Sequence, residues 1–249
     1  MLSIHDNLAE GSLAHGTRAN PGVNSAADFR VLQFPLDRRR SPRVGPDRIR
    51  PSQVRTILKR GLDLAVSTAA LILLVPFLAV IALVIRFEST GPSLFRQQRL
   101  GLNGEPFRIL KFRTMHVLED GEIVRQVEPN DKRVTRVGRF LRSSSFDELP
   151  QLINVLKGEM SLVGPRPHAV AHDRQFGALI ANYALRQRVK PGITGWAQVN
   201  GFRGPTPSLH MMHRRVDLDV WYALNASLAL DLKILLRTPL ELFRRRNAY

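Results

Sequence analysis

The chain contains no cysteine. Disulfides, thiol nucleophiles and cysteine-ligated zinc are therefore excluded. Acidic residues are scarce too: 21 Asp and Glu face 37 Lys and Arg, a formal charge of +16. Such a surplus implies an anionic partner, whether nucleic acid, anionic lipid or phosphorylated substrates. Aromatics reach only 7%, with two Trp and three Tyr. They do not interleave with the basic residues as a nucleic-acid stacking surface requires, and no nucleic-acid motif appears. Nucleic acid is accordingly not expected as a partner. Internal repeats are absent, and no apolar stretch of signal-peptide type follows the start.

What is present is unevenly distributed over the 249 residues. Residues 1–51 carry scattered apolar positions, several Gly and Pro, and the basic cluster "DRRRSPRVGPDRIR". No helical or alternating period holds there, which predicts a disordered basic N-terminal tail. Residues 52–90, which hold a long apolar run, are expected to form a membrane segment, and residues 91–249 a separate domain.

"LAVSTAALILLVPFLAVIALVI", Leu64 to Ile85, is uncharged over roughly 22 residues, long enough to cross a bilayer as a helix. Three details argue against a simple crossing. Pro76 lies near the middle, where it removes a backbone hydrogen bond and favours a kink. Arg55, Lys59 and Arg60 precede the run and Arg86, Arg96 and Arg99 follow it, so the positive-inside tendency puts both flanks on one side. Asp63 sits at its start. A helix that enters one leaflet, breaks at Pro76 and returns satisfies all three. A spanning helix with a tolerated proline is the plainer alternative.

Beyond this segment, two alternating stretches flank Asn103-Gly104, a strong hairpin signal. "VTRVGRFLRSSSFDELPQLINVLKGEM" reads as two short helices joined near the serines. "RVKPGITGWAQVNG" reads as an ordered loop or short strand. The C-terminal part has helical periodicity, and its last piece pairs Leu, Ile and Phe with Lys233, Arg237 and Arg244 to Arg246. That pattern suits an interfacial amphipathic helix, or an ordinary packed one. The expected class is α+β: mainly helical, with a re-entrant helix-break-helix, a small β-hairpin and interfacial amphipathic helices.

Asp147 and Glu148 stand side by side before Leu149-Pro150, with Gly164-Pro165-Arg166-Pro167 downstream. Ser145 followed three residues later by Glu148 fits a capping box, so plain helix punctuation is one reading. The other is chemical. A carboxylate at a helix N-terminus is expected to have a lowered pKa and stay ionised. Neighbours on a helix diverge by about 100°, so both can reach one site only at a helix end. Attack on a phosphate by an anion also needs cations nearby. Lys111, Arg113, Arg136, Arg139, Arg142 and Arg166 supply them, Arg166 in a turn stiffened by two prolines. His168 and His172 lack the further ligands a zinc site needs, and His210 and His213 bracket two Met as surface or core positions. Trp196 and Trp221 read as packing residues, with Trp221 beside Asp219 also a candidate to stack on a base.

"KRGLDL", "GPSLFRQQRLGLNGEPFRILKFRTM", "VGRFLRSSSFDELPQLINVLKGEMSLVGPRP", "KPGITGWAQVNGFRG" and "DLDVWYALNASLALDLKILLRT" together carry a resemblance. From about Lys59 onward the chain resembles the bacterial sugar transferases, the monotopic phosphoglycosyl transferases that begin lipid-linked glycan assembly. The tail lies outside the match, and a chain without the multi-spanning N-terminal domain of the larger relatives is expected. The resemblance implies Asp147 as nucleophile toward a UDP-sugar, with UMP released and the sugar-phosphate passed from Asp147 to a polyprenyl (undecaprenyl) phosphate. It implies Glu148 as a Mg²⁺ ligand or proton-transfer aid, and Asp219 near the metal and nucleotide. Lys111, Arg113, Arg139, Arg142 and Arg166 would steady phosphates, and Pro76 would break the re-entrant helix. The implied setting is the bacterial inner membrane, monotopic, with membrane lipids as partners and the catalytic domain facing the cytoplasm; homodimer formation stays open. "TGWAQVNGFRG" and the segment after it look most like glucose-1-phosphate transferases of exopolysaccharide synthesis, with galactose transferases close behind. "GPTPS" departs from the usual acidic-Thr pattern there. A membrane-tethered nucleic-acid binder and a non-catalytic scaffold are the competing classes.

Overall fold

A computed structural model describes residues 53–116, 131–204, 206 and 208–243. The expected tail and residues 117–130 lie outside the described residues. The described residues belong to one compact unit and are mainly helical, with two small sheets.

Helix α1 runs from Gln53 to Glu88, about 54 Å at 1.5 Å per residue. Pro76 lies inside it and does not end it. The expected break at Pro76 is therefore not an end of the helix: α1 continues through it. Proline removes a single donor, and the long apolar turns on either side keep the helix going, as in many membrane helices. The apolar stretch is mostly unburied: Ile72, Leu73, Val75, Val80 and Leu83 are exposed.

Strands β1 (Leu94–Leu100) and β2 (Pro106–Phe112) form the predicted antiparallel hairpin, with Leu94 opposite Phe112 and Leu100 opposite Pro106. Asn103 and Gly104 take φ of 54° and 81°, the left-handed values that Asn and Gly tolerate best. Along β2, Phe107 and Ile109 are buried and Lys111 half-buried, and the period of two puts these three on one face. Helix α2 (Arg136–Ser144) starts at Thr135, whose hydroxyl accepts from the Gly138 amide at 2.8 Å. Helix α3 (Gln151–Lys157) follows.

A second sheet, which the periodicity did not predict as a sheet, pairs β3 (Ser161–Val163) with β4 (Gly192–Thr194) in parallel. Its approach is close: a Cβ added at Gly192 would meet the Gly164 amide nitrogen at 2.0 Å. Helix α4 (Val170–Leu179), the short α5 (Trp196–Val199), α6 (Leu209–Asn225) and α7 (Leu228–Phe243) complete the described fold. The main core joins Leu152, Val155, Met160, Val163, Tyr222 and Ile234, with Leu71 and Leu74 of α1 packed against it. Each such buried aliphatic contributes about 1.5–3 kcal/mol. A further cluster seats Ile81 and Ile85 of α1 against Phe112 and Leu141.

Both ends of α1 are fastened to this body. Near its start, Lys59 donates to Asp231 Oδ2 at 2.7 Å and to the Val163 carbonyl at 3.1 Å. Arg60 donates to the carbonyls of Val155 and Leu156. Asp63 Oδ1 accepts from Ser161 Oγ and the Leu162 amide, each at 3.0 Å. At its far end, Glu88 accepts from the Val137 amide at 2.9 Å.

Candidate active site

Ser145 ends α2 in the left-handed region, at φ 62° and ψ 20°. The chain reverses there, makes one 3₁₀ turn over Phe146–Glu148, and enters α3 through Pro150. A non-glycine residue at positive φ is uncommon and collects where surroundings over-determine the backbone. The capping box is not formed: Ser145 makes no side-chain cap. The Glu148 carboxylate is taken elsewhere, because two cations outbid a single backbone amide.

Those cations are Lys111 and Arg166. Lys111 Nζ lies 2.7 Å from Glu148 Oε1. Arg166 donates to Glu148 Oε2 at 2.9 Å and to Oε1 at 2.5 Å, a two-pronged grip. Lys111 is placed by β2, which α3 clamps through Asn154: its side chain accepts from the Leu110 amide at 2.9 Å and donates to the Arg108 carbonyl at 2.8 Å. Arg166 is placed by its own carbonyl, which accepts from Arg186 Nη2 at 2.5 Å.

Asp147 is buried beside them, and among the described residues no side chain hydrogen-bonds its carboxylate. Burial pushes its carboxyl up to about 6; Lys111 opposes, neighbouring Glu148 adds, and Arg142 and Arg166 oppose. The expectation of a lowered pKa is overturned here, because desolvation and a like charge outweigh a one-turn helix end. Glu148 behaves oppositely. Burial disfavours its charge, but Arg166 and Lys111 outweigh burial and hold it well below the usual carboxylate range.

The structure therefore brings Asp147, Glu148, Lys111, Arg142 and Arg166 together. It places others elsewhere. Arg113 spends its guanidinium on the carbonyls of Ser89 and Thr90, both at 2.6 Å, and so caps the end of α1. Arg139 is exposed on α2. Asp219 is buried on α6, where its Oδ2 accepts from Arg186 Nη2 at 2.9 Å and Nε at 3.1 Å. Trp196 and Trp221 stack on each other, centroids 5.1 Å apart.

Arg203 was missed, although its motif was noted. Burial lowers its pKa, and it lies close enough to the acid pair that Glu148 and Asp147 oppose that lowering. Arg99, Lys111, Arg166, His168, Thr206 and Arg215 line a cleft of about 90 Å³ beside the acid pair. Charge balance alone did not reveal which basic residues would converge there.

Metal binding can be tested on the donors. Among the described residues no group of three or more His, Asp or Glu could hold a metal ion. Glu148 is occupied by two cations and Asp219 by Arg186, so neither offers the free carboxylate that was expected of a ligand. Mg²⁺ needs only one or two carboxylates plus substrate phosphates, and Asp147 fits that lesser demand.

The family described as bacterial sugar transferase matches residues 54–245. A UDP-glucose:undecaprenyl-phosphate glucose-1-phosphate transferase of Escherichia coli K12 is 44% identical over 99% of this chain and 56% of its own length. A protein of the same description from Caulobacter vibrioides is 54% identical over 77% of this chain and 72% of its own length. A UDP-N-acetylgalactosamine-undecaprenyl-phosphate N-acetylgalactosaminephosphotransferase of Aeromonas hydrophila is 40% identical over 76% of this chain and 44% of its own length. The chain thus spans 56% of the E. coli relative.

Proposed function

The chain belongs to the bacterial sugar transferase family, and we propose that it moves a hexose-1-phosphate, glucose-1-phosphate in the first instance, from a UDP-sugar to undecaprenyl phosphate. The observation that carries this reading is the buried Asp147–Glu148 turn ringed by Lys111, Arg142 and Arg166. Glucose rests on the E. coli and C. vibrioides relatives; the A. hydrophila relative shows why the sugar needs its own experiment.

In the proposed reaction an Asp147 carboxylate oxygen attacks the sugar-bearing phosphorus of the UDP-sugar. The bond from that phosphorus to the bridging oxygen breaks, and UMP leaves with the electron pair. An oxygen of undecaprenyl phosphate then attacks the same phosphorus. The phosphorus–Asp147 bond breaks, and the carboxylate is restored. Splitting the exchange this way replaces one difficult displacement by two easier ones. Glu148, tied to Lys111 and Arg166, sets the positions of both cations, and these with Arg142 offset the charge gathering on the equatorial oxygens. Asp147 would be the residue to hold Mg²⁺, and the ion would supply additional charge neutralisation for the substrate's phosphates.

The lipid acceptor accounts for α1. A helix whose two ends both bind one body cannot carry that body on one side while crossing the bilayer. Its exposed apolar face then rests in a single leaflet, with the basic flanks and the catalytic part on the cytoplasmic side of the inner membrane. Leu232, Leu236 and Leu240 of α7, four residues apart and exposed, suit the same interface. Phe77, next to Pro76, meets Phe146 edge-on at 5.1 Å, so the membrane helix touches the residue before Asp147. Because the chain has no cysteine, Gln53→Cys and Thr90→Cys can be labelled singly. Both should react with an impermeant maleimide in inside-out vesicles and neither in intact cells. Labelling of one site from each side would refute the one-leaflet arrangement.

UMP release with undecaprenyl phosphate and UDP-glucose, UDP-galactose or UDP-N-acetylgalactosamine tests the reaction; silence with all three would reject it for these donors. The same assay reads pH. Asp147 must be ionised to attack, so kcat/KM should rise about tenfold per unit below pH 6 and level off above it. Stability should move the other way. The folded chain holds a proton on Asp147 between its ordinary value of 3.8 and about 6. Over that window this residue's contribution to stability falls as pH rises. A rate independent of pH from 5 to 7 would exclude Asp147 as the titrating nucleophile.

A further inference from the structure

His168 follows the Arg166 turn and lines the basic cleft. Lys and Arg side chains present only hydrogen-bond donors, so Arg99, Lys111, Arg166 and Arg215 suit phosphate oxygens and give a ligand's hydroxyl or imide proton nothing to bind. His168 differs because of what stands behind it. Tyr183 donates its hydroxyl proton to Asp173 Oδ1 at 2.6 Å. The same phenolic oxygen lies 2.6 Å from His168 Nδ1. A phenol has one proton, and that proton is spent on Asp173. Tyr183 must therefore accept from His168, which puts the imidazole proton on Nδ1 and leaves the lone pair on Nε2.

The relay is held from below. Arg186 Nη1 stands 3.6 Å from Asp173 Oδ1 and keeps that carboxylate an acceptor. The ring itself is neutral: burial, then Arg186, Arg215, Arg99 and Arg166, hold its pKa well below the ordinary 6.5. Nε2 is buried and has no hydrogen-bond partner among the described residues. A buried acceptor left unmatched is costly, and native structures keep few without a purpose.

We propose that His168 is a specificity residue of the donor site, whose Nε2 accepts a hydrogen bond from one neutral donor group of the UDP-sugar, a hydroxyl or the uracil imide N–H. Asp173 and Tyr183 act through it as positioning residues, fixing which nitrogen carries the proton. The inference rests on the reaction proposed above.

The test uses the full chain, undecaprenyl phosphate, the best UDP-hexose, and analogues that each lack one donor: deoxyhexoses, 2′- and 3′-deoxyribose, and N3-methyluracil. One analogue should lower kcat/KM of the unaltered chain by roughly 10–100-fold, as expected when a buried polar partner is left unpaired. The same analogue should cost under about threefold in His168→Phe, because the group it lacks no longer has a partner to lose. Tyr183→Phe should shrink the penalty partway, since either ring nitrogen can then carry the proton. The analogue that responds says whether sugar, ribose or base is read. If no analogue is penalised in the unaltered chain, the proposal is overturned, whether or not His168→Phe folds. Penalties that persist unchanged in the folded variants overturn it as well. Failure of the reaction is distinct: the unaltered chain would release no UMP even from intact UDP-hexoses.

Discussion

Asp147→Asn is expected to abolish UMP release, by about 10⁴-fold or more, while leaving the fold intact. The substitution is nearly isosteric, and no described side chain loses a hydrogen bond by it. It also removes a buried charge whose ionised form is disfavoured, so the melting temperature should hold or rise slightly. Intact mass after incubation with UDP-glucose and Mg²⁺, without lipid acceptor, provides the direct readout. The unaltered chain should gain a hexose-phosphate, and Asp147→Asn should not. If the variant kept more than about a tenth of the activity, Asp147 would be reduced to a structural role. Glu148→Gln would behave differently. It loosens Lys111 and Arg166 rather than removing the attacking atom, so activity should fall less and stability more.

The second large effect is on stability. Arg186→Met should lower it by about 3–5 kcal/mol, since breaking a buried pair strands the partner charges. Arg186 sits between two buried carboxylates, 3.6 Å from Asp173 and 2.9 Å from Asp219. Burial already pushes both carboxyls up, and Arg186 is the main force pulling them back. At roughly 2–4 °C per kcal/mol for a chain of this size, the melting temperature should drop by about 10 °C. Without Arg186 the two folded-state pKa values rise further above 3.8. The folded state then binds more protons than the unfolded one across that window, and lowering the pH should recover part of the loss. Scans in detergent at one fixed rate for both proteins keep irreversible unfolding from distorting the comparison. Arg186→Met/Asp219→Asn should be more stable than Arg186→Met alone. A variant melting within 2 °C of the parent would mean that the two acids are not held by Arg186. Activity should fall too, because Arg186 also holds the Arg166 carbonyl.

These effects depend on pairings that differ in how far the sequence discloses them. The hairpin was legible because its signal is local: Asn103 and Gly104 supply left-handed dihedrals between two alternating stretches. The apolar run of α1 and the two short helices around the serines were legible for the same reason, periodicity over neighbouring residues. Asp147 and Glu148 were visible as a pair, and the quoted motifs carried the family. Ser145 and Glu148 show where local reasoning misleads. Their spacing matches a capping box, yet Glu148 turns to Lys111, 37 positions away, and Arg166, 18 positions away.

What the sequence determined by itself is what neighbouring residues encode: the turn, the helix periods, the uncharged stretch, the excess of cations and the adjacent acids. Only the tertiary structure decided which cations serve the acids. Arg142, Arg166 and Arg113 are alike in sequence, but α2, the turn after β3 and the chain just past β2 send them to different partners. The same holds for Pro76, whose lost hydrogen bond the surrounding helix absorbs, and for the His168–Tyr183–Asp173 relay, assembled from three separated positions. Long-range electrostatic pairing depends on where the chain crosses itself and how dry each crossing is. Neither quantity is written in the spacing of residues along the chain.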